Sequence, residues 1–100
     1  MLGVLNLFNI IPEMQELYDR YLEEVQPLLT RYNSRILFYG KTLIVCLGDY
    51  TQEYCGLVIY PDMKAVKGLS NDPDFKRIRI LRDESTTDFE MVILDEVQLD

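Results

Sequence analysis

The stretch EMQELYDRYLEEVQPLLTRY, residues 13–32, decides the fold of this chain. Its apolar residues recur at intervals of three and four, and acidic and amide residues separate them. This spacing predicts an amphipathic helix that buries one face. Such a helix needs an apolar surface to pack on, and the other apolar runs of the chain are short and typical of strands. We therefore expect helices packed on a β-sheet.

The remaining apolar runs and turn signals predict five strands and two further helices. The strands are predicted at residues 2–9, 36–39, 43–47, 57–60 and 89–97. A short helix is expected over residues 63–69, and another begins at Pro73, with Asp72 as its cap. This order predicts one α+β domain over residues 1–100. We expect a ferredoxin-like sandwich, with a mostly antiparallel sheet and helices on one face.

The balance of charge excludes one large class of function. The chain has 10 Lys and Arg against 17 Asp and Glu, a formal net charge of −7. Phosphate backbones bind to basic surfaces, so no nucleic-acid partner is expected. No signal peptide is recognisable, and no apolar run approaches the ~20 residues of a membrane span. These features predict no membrane partner and a cytoplasmic protein.

The residues that usually bind transition metals are scarce. The chain has no His and two cysteines, Cys46 and Cys55, which do not form a Cys-x-x-Cys pair. We therefore expect no metal site and no cofactor. The two cysteines lie in neighbouring predicted strands, where a disulfide across a hairpin is geometrically feasible. Two small buried thiols are the alternative, which a cytosolic location favours.

Two of the predicted strands, residues 2–9 and 43–47, are apolar on both faces. Helices can cover only one face of the sheet, so the other face would be a large exposed apolar patch. Burial of that patch against a second copy of the chain, as a two-fold face-to-face homodimer, resolves this most simply. A higher oligomer is the alternative.

Two arginines are candidates for ligand binding. Arg82 follows Ile78 by four residues and Phe75 by seven, which places it on the apolar face of its helix. A guanidinium directed inward needs a carboxylate or a ligand anion, because an unpaired buried charge is very unfavourable. Arg82 therefore either binds an anionic or carbonyl group or forms an ion pair with a nearby acid such as Glu90. Arg35, at the start of a predicted strand, carries the same ambiguity.

Polar groups in the predicted strands supply the other candidates. Asn6 interrupts an apolar strand, and it either orients a ligand in the space inside the dimer or satisfies a backbone group at a helix end. Three tyrosines are further candidates: Tyr39, Tyr60 and also Tyr50. They either line a pocket or serve only as packing residues. The chain has no phosphate-binding glycine loop, and nucleophilic catalysis would lack a histidine base.

A series of short motifs resembles the DUF1330 family along nearly the whole chain. In its first half these are LNLF at residues 5–8, Tyr-x-x-Tyr at 18–21, Val-x-Pro at 25–27 and Arg-Tyr-x-x-Arg at 31–35. In its second half they are Leu-Gly-Asp-Tyr at 47–50, Tyr-Pro at 60–61, Asn-Asp-Pro-Asp-Phe at 71–75 and Arg82. The resemblance implies a subunit of the dimeric α+β barrel superfamily, and it implies no particular activity.

The chain departs from the family pattern at two places. It has Tyr32-Asn33-Ser34-Arg35 where the family usually has Tyr-Gly-Gly-Arg, and Tyr50 where Trp is common. Asn also adopts the left-handed conformation, so we expect the turn at Asn33 to persist. Superfamily members that act on haem generally use a His, so this activity is not expected here.

Two functions from different classes follow from these observations. The first is a homodimer that binds a small organic ligand between its sheet and its partner, with cofactor-free acid–base activity as an extension. Its candidate residues are Asn6, Arg35, Tyr39, Tyr60 and Arg82. The second is a non-enzymatic structural or interaction dimer whose inner face is fully packed.

Overall fold

The computed structural model describes residues 1–99, which form four strands and three helices. A single turn of 3-10 helix, Pro12–Met14, precedes the first helix. The elements in chain order are β1 (Leu2–Ile10), α1 (Gln15–Arg31), β2 (Arg35–Lys41), β3 (Tyr54–Tyr60), α2 (Met63–Asn71), α3 (Pro73–Ser85) and β4 (Thr86–Asp95).

The strands form one antiparallel sheet in the order β2-β3-β1-β4. The three helices lie on one face of this sheet, so the predicted ferredoxin-like α+β sandwich is confirmed. Alternate residues of β1 point to opposite faces. Val4 and Phe8 point to the helices and are buried, Phe8 with only 1% of its surface exposed. The core therefore lies between the sheet and the helix layer.

Helix α1 buries the stripe that the sequence predicts. Its apolar face packs on the core residues of the sheet, while its acidic residues face solvent. The helix continues through Pro27 to Arg31, and Asn33 then reverses the chain with a φ of 57°. The predicted left-handed turn at Asn33 is thus confirmed. The buried residues of α1 are Tyr18, Tyr21, Val25, Leu28 and Leu29.

Helices α2 and α3 begin at aspartate caps. The Asp62 carboxylate accepts a hydrogen bond from the Ala65 amide at 2.9 Å, and the Asp72 carboxylate accepts one from the Asp74 amide at 2.8 Å. These bonds satisfy amide groups that have no partner inside a helix. Pro73 follows Asp72 as the first helical residue, so the predicted start of α3 is confirmed.

The prediction of a strand at residues 43–47 is wrong. Strand β2 pairs directly with β3, and residues 42–53 form a long connection between them. Because β3 already has β2 on one side and β1 on the other, no β3 edge is left for residues 43–47. Cys46 lies in this connection and is exposed, so the prediction of two buried thiols in neighbouring strands is wrong for Cys46. Cys55, in β3, is partly buried, and both thiols are free.

The last strand also differs from its prediction. It begins at Thr86, immediately after α3, instead of at residue 89. The side chain of Ser85 is completely buried at this junction, and its hydroxyl donates to the Leu81 carbonyl at 2.6 Å. Strand β4 follows α3 directly, so no loop separates the two elements.

The face of the sheet away from the helices, here called the open face, is mainly apolar. Cross-strand partners point to the same face, so the pairings of Leu5 with Leu57 and Val92, and of Phe38 with Leu57, place these side chains together. Much of this apolar surface is solvent-exposed in one copy of the chain, including Phe38 and Val92. The apolar residues of the open face are Leu5, Leu7, Phe38, Leu57, Ile59, Val92 and Leu94. By the same pairings Arg35, opposite Ile59, and Glu90, opposite Leu7, also lie on this face.

Within residues 1–99, every helix is too short or too polar to cross a bilayer.

Candidate ligand cavity between sheet and helices

A cavity of about 320 Å³ lies between the sheet and the helix layer. Side chains from all four strands and all three helices line it. Most of them are apolar or aromatic, and the polar ones are few, which is the usual composition of a small-molecule site. The cavity lies on the helix side of the sheet, whereas the sequence predicted a ligand space between the sheet and a partner subunit.

Four near-parallel rings form one side of the cavity, here called the aromatic wall: Phe8, Tyr18, Tyr39 and Phe89. The ring of Phe8 is stacked 5.0 Å from Tyr18 and 5.2 Å from Phe89, measured between centroids. Tyr39 is stacked 6.2 Å from Tyr18, with the planes at 9°. Because the ring planes share one direction, the wall favours a flat apolar ligand that continues the stack.

A β-bulge in β2 brings Tyr39 into this wall. Ile36 pairs with Val58 and Phe38 with Leu57, so one extra residue, Leu37, lies between consecutive pairs. The extra residue shifts the alternation of side chains along the strand. As a result Ile36 and Tyr39 both face the helices, and Phe38 faces the open side.

Two arginines and one carboxylate lie at the α3 side of the cavity. The Arg82 guanidinium is 3.0 Å from one oxygen of Asp83, and the Arg79 guanidinium is 3.6 Å from the other. Only 14% of the Arg82 side chain is exposed, and its guanidinium lies 4.9 Å from the centre of the Phe89 ring. A single carboxylate can balance only one of the two positive charges. The cation–π contact stabilises Arg82 further but does not neutralise it.

Three tyrosine hydroxyls remain neutral at physiological pH. Burial, with smaller effects from neighbouring tyrosines, raises the pKa of Tyr60 and of Tyr39 to about 12. Burial also raises the pKa of Tyr21, although the nearby Arg82 guanidinium opposes this shift. Neutral phenols can donate hydrogen bonds to an anionic ligand oxygen. They are poor general bases near neutral pH, because almost none of the phenol is ionised there.

Asn6 faces the helices and lines the cavity. Its side-chain amide donates to the carbonyls of Gly56 at 3.3 Å and Val4 at 3.4 Å, both in the sheet. The sequence offered two environments for Asn6, the space inside the dimer or a helix end. The structure shows a third, in which strand carbonyls hold a polar side chain at the floor of the cavity.

The structure brings four of the five predicted site residues to this cavity, namely Asn6, Tyr39, Tyr60 and Arg82. Arg35 is separate from them: it is exposed at the start of β2, where it pairs with Ile59, and it does not line the cavity. Tyr50 lies in the connection between β2 and β3, also away from the cavity.

Sequence reasoning missed Arg79, Tyr18 and Tyr21 as lining residues. Arg79 follows Phe75 by four residues and precedes Arg82 by three, so helical spacing alone places these three on one face. Tyr18 and Tyr21 belong to the predicted buried stripe of α1, where a core residue and a cavity residue have the same periodicity. The bulky residues Phe8 and Phe89, from β1 and β4, line this cavity as well.

The residues present offer little to a metal ion. Within residues 1–99, no three His, Cys, Asp or Glu side chains cluster closely enough to hold one.

The fold and the cavity together define a class: a small ferredoxin-like α+β sandwich with an aromatic cavity between its sheet and its helices. The family model described as "Domain of unknown function (DUF1330)" matches residues 6–97. The chain therefore belongs to the DUF1330 family, as its motifs predicted.

Solved structures with the same fold come from several bacteria. A protein of unknown function from Rhodopseudomonas palustris has a TM-score of 0.85 and 18% identity over 98% of this chain and 83% of that one. A dimeric protein of unknown function with a ferredoxin-like fold, from Bacteroides fragilis, has a TM-score of 0.64 and 14% identity over 95% of both chains.

A third structure of the same fold is an enzyme. SnoaB, a cofactor-independent oxygenase from Streptomyces nogalater, has a TM-score of 0.65 and 14% identity over 98% of this chain and 94% of that one. At these identities the likenesses establish the fold alone. No curated protein matches the sequence.

Proposed function

We propose that this protein is a homodimer that binds a flat, mainly apolar ligand with one anionic oxygen group in the cavity between sheet and helices. The observation that carries the proposal is the arrangement of Arg79 and Arg82 around the single carboxylate of Asp83, beside an otherwise apolar cavity.

The arginines supply the reason for an anionic group. Arg82 is largely buried, and a buried positive charge is stable only with a compensating anion. Asp83 is about half exposed and is shared with Arg79, so it compensates incompletely. A carboxylate, phenolate or enolate placed against Arg82 would complete the balance. Because Nε and Nη2 of Arg82 already donate to Asp83, such a group would bind through the remaining N–H groups of the guanidinium.

The aromatic wall supplies the reason for a flat apolar body. A planar ligand that stacks on the wall buries apolar area on both sides, since helix residues such as Val25 and Leu29 line the cavity as well. The cavity is at the small end of ligand sites, which favours one or two fused rings over a larger molecule.

Binding is better supported than acid–base catalysis. The chain has no histidine, and Tyr39 and Tyr60 titrate far above neutral pH. The cofactor-free oxygenase among the structural relatives makes chemistry on the bound ligand worth testing once a ligand is known.

The homodimer is supported by the open face. This apolar surface is one side of the whole sheet, and monomeric soluble proteins rarely expose a contiguous patch of that extent. The dimeric relative from Bacteroides fragilis has the same fold. A face-to-face dimer would cover the open face and leave the cavity, on the other side of the sheet, free for a ligand.

The ligand proposal is tested with a matched pair of probes, 2-naphthoate and its uncharged analogue 2-naphthalenemethanol, titrated by calorimetry. We expect wild-type protein to bind the acid more tightly. Arg82→Gln should weaken binding of the acid about 10- to 100-fold, the value of a charge-assisted hydrogen bond, with little change for the alcohol. Arg77→Gln is the matched control, because Arg77 lies on the same helix, is exposed and does not line the cavity, and it should change neither.

The outcomes separate the two candidate functions. Equal affinity for acid and alcohol in wild type would remove the anionic group from the proposal. If neither probe binds, and the protein purified from its natural host carries no small molecule by native mass spectrometry, the structural or interaction dimer is the better description.

A further inference from the structure

We infer that residues 42–53, here called the arm, lie against a second copy of the chain and form part of the dimer interface. This inference rests on the proposed homodimer and goes beyond it. It assigns the contact to a segment that contributes almost nothing to the protomer's own core, in addition to the open face of the sheet.

The tip of the arm, residues 43–47, has the composition of a buried strand and the exposure of a surface loop. Leu43 and Leu47 are 93% and 94% exposed, and Ile44 is also largely exposed. Surface connections are normally polar, because their side chains face water. Five consecutive apolar residues, rich in strand-forming types, therefore lack in one copy the cover that their composition requires.

The base of the arm is fixed to the sheet by several hydrogen bonds. The Thr42 amide donates to the Glu53 carbonyl at 2.7 Å, and the Glu53 amide donates to the Asn9 side chain at 2.7 Å. The Gln52 side chain is buried and donates to the Asp88 carbonyl at 3.4 Å and to the Glu90 carboxylate. The arm therefore leaves the sheet at a defined place, at the end where β1 and β4 meet.

The arm tip enlarges the apolar surface that is available for a contact between two copies. A stable interface usually buries about 800 Å² of accessible surface on each partner. The arm tip adds five exposed apolar residues, Leu43 to Leu47, to the surface that the open face offers.

The charge of the arm tip identifies the partner as another copy of this chain. Residues 43–48 carry no charge, whereas the whole chain has a net charge of −7. Two copies repel one another at long range, so their contact requires surfaces that bury no further acids. The uncharged arm tip meets that requirement, and on the open face the acid Glu90 is matched by the base Arg35.

The test is the dimer dissociation constant, measured by sedimentation velocity over a range of concentrations. Leu43→Asp/Leu47→Asp should raise it at least about 100-fold, because two leucine side chains would lose their burial. Circular dichroism should show an unchanged fold, since both side chains are almost fully exposed in one copy. The control, Met63→Asp/Ile80→Asp, adds the same charge at exposed positions on α2 and α3 and should leave the constant within a few fold.

Each other outcome overturns a stated part of the inference. If both double variants weaken the dimer equally, added charge is the cause and the arm contact is wrong. If neither does, the homodimer stands without the arm. A wild-type protein that is monomeric at all concentrations overturns both, and the ligand proposal is then decided by its own titration. As a second measurement, amide hydrogen exchange of residues 43–47 should slow as wild-type dimer forms.

Discussion

The carboxylate of Asp72 holds together the end of α1 and the start of α3. It accepts hydrogen bonds from the Tyr32 hydroxyl at 2.6 Å, from Arg31 at 2.8 Å and from the Asp74 amide at 2.8 Å. The hydrogen bond from Tyr32 has the largest effect on the pKa of Asp72 and lowers it, whereas burial raises it. The Asp74 amide and Arg31 lower it further, so the pKa falls from an ordinary 3.8 to about 2. The folded state therefore favours the ionised form.

This shift predicts an acid-dependent loss of stability that Asp72→Asn should remove. A depressed pKa contributes stability above the unfolded value of 3.8, and this contribution is lost as the pH falls through about 2. Asn caps helices as well as Asp does, so the substitution isolates the charge. We expect the variant to be less stable at pH 7 and to approach the wild type as the pH falls from 4 to 2. Urea unfolding at several pH values measures this, and a constant difference would contradict it.

At single residues, the sequence indicated which side chains belong to a site better than it indicated the direction in which they point. Arg82 and Asn6 were both expected at a site, and both line the cavity. The face of the sheet on which Asn6 lies could not be predicted, because β1 is apolar on both faces and a shift of one residue exchanges them. The Arg82–Asp83 contact could not be predicted either, since it depends on the rotamers of two adjacent residues.

Among the elements, α2 packs unusually closely on the end of α1. A methyl group added at Gly68 would lie 2.6 Å from the Tyr32 ring. That ring cannot withdraw easily, because its hydroxyl is bonded to Asp72. The approach of the two helices thus depends on the absence of a side chain at Gly68.

Gly68→Ala should therefore destabilise the protein, against the usual effect of this substitution in a helix. Alanine is normally favoured over glycine by about 1 kcal/mol in a helix interior. Here we expect a net loss of about 1–3 kcal/mol, the usual size of an overpacking penalty. Urea unfolding measures the change. In a Tyr32→Ala background the same substitution should be neutral or stabilising, and if it is destabilising there too, the ring is not the cause.

Elements with a strong local sequence pattern were predicted correctly. The predicted strand at residues 43–47 was wrong because no strand of the sheet pairs with it. The α1 stripe and the Asp72-Pro73 start of α3 are local patterns, and both are confirmed. Residues 43–47 have strand composition, but β2 pairs with β3 instead of with them. Which strands pair is a property of the sheet order, which composition does not encode.

In the molecule as a whole, buried tyrosines make stability dependent on alkaline pH. Burial raises the pKa of Tyr18, Tyr21 and Tyr60, the last to about 12, from an ordinary 10.0. Because the pKa is raised in the folded state, each tyrosine contributes fully to stability below pH 10. This contribution is lost as the pH rises through the pKa of the folded state. Between pH 10 and 12 the unfolded chain ionises first.

We expect the free energy of unfolding to fall in this range by about 1.4 kcal/mol per pH unit for each of these buried tyrosines. Urea unfolding followed by circular dichroism, from pH 8 to 12, measures the slope. Tyr60→Phe should reduce the slope by the share of one tyrosine and leave the slopes below pH 9 unchanged. An equal slope in both proteins would show that Tyr60 does not contribute.

The direct passage from α3 into β4 has a mechanical consequence for the whole protein. Because no loop lies between Ser85 and Thr86, a displacement of α3 is transmitted to the edge strand. Arg79 and Arg82 lie on that helix, and Val92 and Leu94 lie on that strand's open side. Any movement of the arginines toward a bound molecule would thus tilt the open face. In the proposed homodimer, ligand occupancy and self-association would therefore be thermodynamically linked.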